Sequence, residues 1–164
     1  MFQRSIAVLV AMTLVLTAAP VIFDGSSACG LDGGAGCELP TPLSDSGVAI
    51  LGTEIFIFGG VVEGTGMTDA IMVYDVRANG LNTLMTKMPC KISNPNAFAL
   101  EGKIYIYGGE QAGNVSHNRN MTVFTPPSTL ENHPDFFPYG VEGGAQAFDG
   151  KYLYVFGNCI NAEC

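Results

Sequence analysis

Gly59, Gly108 and Gly157 stand 49 residues apart, and each closes a run of apolar residues. Pro40, Pro89 and Pro138 each precede one of these glycines by 19 residues, so two kinds of backbone-restricting residue keep one period across three copies. A period near fifty, with short strands and Gly-rich turns, marks a repeated β unit that cannot bury its apolar faces without a neighbour. The chain therefore constrains its architecture far more tightly than its ligand.

Each copy opens with a predicted β-hairpin. In the first, Gly47–Leu51, a turn at Gly52-Thr53 and Glu54–Gly60 alternate aromatic and β-branched residues. The second repeats this over Asn96–Leu100, Glu101-Gly102 and Lys103–Gly109. The third does so over Gly144–Phe148, Asp149-Gly150 and Lys151–Asn158, with Asn158 in place of the second glycine. Strands such as Ile55–Phe58 are apolar on both faces, as expected of a small sheet sandwiched between two others. After the first glycine pair, Ala70–Asp75 predicts a third strand and Leu81–Met85 a fourth, turned by Arg77–Gly80. The second copy has Asn120–Phe124 as its third strand, but Pro126-Pro127 and the polar Leu130–His133 leave only a weak fourth.

These residues resemble the kelch repeat family. Its repeat is an apolar strand ending in Gly-Gly, a Tyr-Asp pair, a Trp seven residues after the Tyr, and a Pro soon after. Gly59, Gly60, Tyr74, Asp75 and Pro89 fall on the pattern, with Leu81 at the tryptophan position. Gly108, Gly109, Phe124 and Pro138 follow in the second copy, with Glu131 at that position, and Gly157 marks the third. The chain contains no Trp. The resemblance covers residues 37 to 164, about two and a half repeats. It implies an all-β fold, an incomplete kelch-type β-propeller of two four-stranded blades plus a partial third. A Gly/Cys/Pro-rich lead-in (29–46) precedes kelch-like repeats (47–164), with blade 1 at about 40–89, blade 2 at about 90–138 and the partial blade 3 at about 139–164. Closed propellers use four to eight blades. Three readings follow: a truncated sequence, which ranks first; assembly with other chains to complete a ring; or an open stack.

The N-terminus reads as targeting. One basic residue in Met1–Ser5 precedes the apolar Ile6–Ala19, then Pro20 and an apolar tail, and Ser26-Ser27-Ala28 offers a cleavage site for a signal peptide over 1–28. Cleavage after Ala18 or Ala19 is a second option, and a lipoprotein reading of Ala28-Cys29 is weaker. The rival is a membrane anchor over residues 6–23. At about 1.5 Å per residue it would only just cross a core of roughly 30 Å, and Pro20 interrupts it. Cys29, Cys37, Cys90, Cys159 and Cys164 include no C-x-x-C pair and suit disulfides in an oxidising compartment. Cys29 with Cys37 and Cys159 with Cys164 are the local pairings, leaving Cys90 over. Asn114 and Asn120 head N-x-S/T sequons and are glycosylation candidates on a secretory route. With 15 acidic and 7 basic residues the net charge is −8, which disfavours nucleic acid and anionic membrane as partners.

Catalytic groups are sparse. His117 and His133 have no partner in sequence, the Gly-Gly pairs lack the helix and Lys-Ser/Thr that phosphate binding needs, and Glu54, Glu101 and Asp149 fall at solvated hairpin turns. No catalytic residue, cofactor or metal is assigned. The resemblance implies a scaffold that binds a protein or glycan through its inter-strand loops; with the targeting segment and the sparse catalytic groups, the expected product is a secreted, non-enzymatic module. The candidate loops are Val61–Asp69 and Glu110–Arg119, with His117 and Arg119 as binding candidates. The alternative is a fragment of a larger propeller enzyme acting on sugars, of oxidase or epimerase type, whose active residues lie in other blades.

Overall fold

The computed structural model describes residues 39, 41–113, 118–143, 145–149 and 151–156. The segment read as a signal peptide or anchor, Cys29, Cys37, Cys159, Cys164, Asn114, His117 and Gly157 lie outside these. Among the described residues every regular element is a strand: β1 (Leu43–Ser44), β2 (Gly47–Leu51), β3 (Glu54–Phe58), β4 (Val61–Val62), β5 (Gly66–Met67), β6 (Ala70–Asp75), β7 (Gly80–Lys87), β8 (Ile92–Ser93), β9 (Asn96–Leu100), β10 (Lys103–Tyr107), β11 (Glu110–Gln111), β12 (Met121–Thr125), β13 (Thr129–His133), β14 (Ala145–Phe148) and β15 (Leu153–Phe156).

The strands form two antiparallel meanders, β2-β3-β6-β7 and β9-β10-β12-β13, followed by the hairpin β14-β15. Both complete hairpins start and turn where the alternation of apolar and turn residues places them, but their second strands end at Phe58 and Tyr107, because the glycine pairs predicted to close them take positive φ and leave the ladder. The fourth strand of the second copy is stronger than its sequence indicated, since Thr129–His133 pairs with Met121–Thr125 at every position. It is the outermost strand of its sheet and mostly exposed, so backbone pairing holds it without an apolar stripe. The fourth strand of the first copy likewise runs from Gly80 to Lys87, longer at both ends than its apolar core.

Consecutive strands pair antiparallel, with one irregularity between β6 and β7 at Ala70/Met72, and residues opposite one another share a face. One face of the first sheet carries Ala49, Phe56, Phe58, Ile71 and Val73, and it packs on Ala97, Ile104, Ile106 and Phe124 of the second. The Phe124 ring meets Phe56 and Phe58 edge-on at centroid distances of 5.7 and 5.9 Å, a favourable aromatic geometry. The core therefore lies between sheets. The other face of the second sheet receives the third hairpin: Phe98 stands 6.0 Å from Phe148, and the Tyr107 hydroxyl donates to Gln146 Oε1 at 2.9 Å. The Gln146 amide in turn donates to the Ala97 carbonyl at 2.9 Å.

Backbone conformation repeats with the same period at positions where the residue type changes. Asp45, Asn94 and Gly143, each 49 residues from the next, all have positive φ (54°, 51° and 61°). Gly52 and Glu101 form another such pair (66° and 50°), and Glu101-Gly102 has the two positive φ values that a type I′ turn requires. A glutamate there carries a strain of about 1–2 kcal/mol that asparagine largely avoids. Glu101→Asn is expected to raise the unfolding free energy by about 0.5–1 kcal/mol, read as a higher urea midpoint with an unchanged slope.

Candidate functional site

In each complete sheet the turns at one end are short, whereas the opposite end collects the long segments: the loops 59–69 and 108–120 and the connections 88–95 and 134–143. A shared set of backbone bonds ties them together. The Gly60 N–H donates to the Ile92 carbonyl at 2.8 Å, the Ile92 N–H to Thr68 at 3.1 Å, and the Thr68 N–H back to Gly60 at 2.9 Å. One repeat later the Gly109 N–H donates to Val141 (2.7 Å), Val141 to Asn118 (3.3 Å) and Asn118 to Gly109 (3.0 Å). Each glycine pair thus clamps its own sheet to the connection that enters the next.

The described parts of both candidate loops carry short strands. Val61–Val62 pairs with Leu43–Ser44 and with Gly66–Met67, while Glu110–Gln111 pairs with Ile92–Ser93. These pieces are two residues long, too short for a periodic signal, and backbone bonds alone define them.

The second loop, the connection between the sheets and strands of the second sheet enclose a cleft of about 160 Å³ lined by Met88, Pro89, Cys90, Gln111, Asn118 and Asn120, among others. Asn118, missed in the sequence, organises it. Its buried amide donates to the Gly108 carbonyl at 3.1 Å, and its Oδ1 accepts the Asn120 N–H at 3.0 Å. Thr68 does the latter in the first repeat, its Oγ1 accepting the Ala70 N–H at 3.1 Å. The available signal was a side-chain cap two residues before the third strand in both copies. The sequon residue Asn120 lines the same cleft, and its Oδ1 accepts the Asp135 N–H at 3.1 Å.

Arg119, half-exposed, pairs with Asp135 through Nε at 3.1 Å and also through a terminal guanidinium nitrogen. The counterpart pair in the first repeat is Asp69 with Lys87 at 3.5 Å, with the signs exchanged. Tyr74 and Asp75 lie at the far end of the sheet. Asp75 Oδ1 accepts the N–H groups of Arg77 and Ala78 at 2.8 and 3.1 Å, which shapes the β6–β7 turn, and the Tyr74 hydroxyl donates to Asn79 Oδ1 at 2.6 Å. Gly59, Gly60, Gly108, Gly109 and Phe124 are buried. His133 is exposed at the end of β13.

Burial, and then the nearby Asp69 carboxylate, push the Cys90 thiol up, so it stays protonated at neutral pH and is a poor nucleophile. It carries no disulfide. Burial also pushes the Tyr107 phenol up to about 12, which keeps it a donor to Gln146. On the third hairpin the N–H groups of Tyr152 and Lys151 and the Tyr154 hydroxyl hold Asp149 below the usual carboxylate range, and that bond raises Tyr154. Among the described residues no three His, Cys, Asp or Glu side chains are placed to hold a metal ion.

Successive four-stranded antiparallel meanders, packed face to face with their long loops at one end, define a partial kelch-type β-propeller. The curated relatives are kelch-repeat proteins. An F-box/kelch-repeat protein of Arabidopsis thaliana is 26% identical over 121 residues, covering 71% of this chain and 30% of the relative. A kelch repeat and BTB domain-containing protein of cowpox virus is 36% identical over 78 residues, covering 48% of this chain and 13% of the relative. A camelpox virus protein of the same description is 36% identical over 88 residues, covering 54% and 15%. The chain thus spans less than a third of the length of each. No family model matches the sequence.

Proposed function

We propose that this chain is a secreted, non-enzymatic interaction module that binds another protein at the end of the sheets where the loops 59–69 and 108–120 gather. The cleft where the connection between the sheets meets the second loop carries this reading. At about 160 Å³ it is smaller than the roughly 300–1,000 Å³ typical of small-molecule sites, and it suits a single inserted side chain of a protein partner. Its lining mixes apolar side chains (Met88, Ile92, Ile106) with amides (Gln111, Asn118, Asn120), a mixture that orients a partner residue by hydrogen bonds while burying its stem. Among the described residues the thiol that lines it is protonated, and no acid–base pair faces it. The relatives' kelch repeats support an interaction role. Secretion is supported by the basic-then-apolar N-terminus and its small-residue cleavage site.

Expressed from its own start in cultured eukaryotic cells, the chain is expected in the medium, and that preparation serves as bait for extracellular proteins. Gln111→Arg and Lys91→Glu, at the loop end, are expected to weaken the captured partner's binding at least tenfold, about 1.4 kcal/mol. Arg77→Glu, in the exposed turn at the opposite end, should leave it within about twofold. The reverse pattern would place the interaction elsewhere and overturn the proposal.

A further inference from the structure

Among the described residues, two sheet faces of the kinds that meet at the internal junctions are left without a covering sheet. Each internal junction joins the same two kinds of face. On the leading side stand the third- and fifth-position side chains of the hairpin's second strand: Phe56 and Phe58 at the first junction, Tyr105 and Tyr107 at the second. On the receiving side stand alternate residues of the next sheet's first strand: Ala97 and Ala99, then Gln146 and Phe148.

The third hairpin presents another leading face. Tyr154 and Phe156, one period after Tyr105 and Tyr107, are 45% and 59% exposed. The first sheet presents another receiving face. Val48 and Ile50, one period before Ala97 and Ala99, are 50% and 65% exposed, and Ile55, Tyr74 and Leu81 continue the row from Ile50.

The side chains match as well as the geometry. At the second junction a polar pair meets, the Tyr107 hydroxyl and the Gln146 amide. At the first, the corresponding residues Phe58 and Ala97 lie in one apolar cluster. The free faces offer Phe156 and Val48 in these same two positions, an apolar pair with no polar group left unmatched. Contiguous aliphatic and aromatic surface of this kind marks an interaction site, stabilised on burial by about 25 cal/mol per Å² of apolar area.

We propose that two copies of this chain associate head to tail, the Tyr154/Phe156 face of each seating on the Val48/Ile50 face of the other. With the three sheets described in each copy, the two identical junctions then close a ring of six, within the four to eight that propellers use. The leading and receiving faces differ, so each junction is heterologous, and the two-fold arrangement is what closes it.

Sedimentation velocity of the full chain at micromolar concentration is expected to give twice the monomer mass. Ile50→Arg and Tyr154→Arg each spoil both junctions of a dimer and are expected to give monomers, raising the dissociation constant at least tenfold. An equimolar mixture of the two restores one intact junction, so a 1:1 complex should reappear on mixing. An interface pairing like with like cannot show that complementation. If either arginine variant fails to fold, Ile50→Ser and Tyr154→Ser carry the same test. A monomeric parent chain, as expected if another segment of the chain covers these faces, would overturn the proposal, as would a dimer that survives both substitutions.

Discussion

Gly108→Ala is expected to destabilise the protein by about 2–5 kcal/mol, among the largest effects a single methyl group can have here. Two costs add. Gly108 has a φ of 70°, where an L side chain costs about 1–2 kcal/mol. The new Cβ would also overlap the Val141 carbonyl oxygen and lie 3.2 Å from both the Val141 carbonyl carbon and its Cβ, an overpacking of about 1–3 kcal/mol against backbone that cannot swing away. The same oxygen accepts the Gly109 N–H, so any relief of the overlap loosens the clamp between the second sheet and the third hairpin. Gly102→Ala separates the two terms. Its φ is 78° with nothing within 4 Å of the added methyl, so it should lose only the conformational share of about 1–2 kcal/mol. Urea unfolding of both variants is the measurement, and equal losses would mean that the close approach to Val141 contributes nothing.

Those glycines show how far the sequence could be read. Their spacing announced the repeat, and alternating residues around Gly52-Thr53 and Glu101-Gly102 placed both turns and both first strands, with the second strands ending two residues before the predicted Gly60 and Gly109, because a sheet covered on at least one face writes its register into its side chains. Where neither face is covered, that signal fades. Thr129–His133 forms a full strand with almost no apolar residues, since it is an edge held by backbone bonds to β12 and by Thr122 Oγ1 donating to Asn132 Oδ1 at 3.2 Å. The short strands Val61–Val62 and Glu110–Gln111 were equally silent. The glycine pairs were legible as structural residues, but the bonds from Gly60 to Ile92 and from Gly109 to Val141 span 32 residues each and have no local trace. Asn118 escaped for a related reason: its counterpart is a threonine, so the shared role is carried by a hydrogen bond and not by residue identity. Arg119 was legible as a charged loop residue, yet its pairing with Asp135 depends on a long-range return of the chain.

Phe124→Ala is expected to cost about 3–5 kcal/mol, the range for removing a fully buried phenylalanine. Its ring is the wedge between the first two sheets, edge-on to Phe56 and Phe58, and with Ile71, Ile104 and Ile106 fully buried beside it the site has little freedom to collapse. Phe124→Leu, which keeps most of the volume, should cost under about 2 kcal/mol. Tyr74 is the informative comparison, for it occupies the same place in the first sheet's third strand, paired across from Ile55 as Phe124 is from Ile104. No earlier sheet among the described residues covers it, so in dilute solution Tyr74→Ala should lose less than half as much. Unfolding at two protein concentrations sharpens the contrast. If Tyr74 lies beside the junction between copies, its cost must grow with concentration, because association stabilises only the folded chain. The cost at Phe124, set within one copy, should stay nearly constant. Equal costs at the two positions, at every concentration, would mean that the first sheet is already covered on both sides in the single chain.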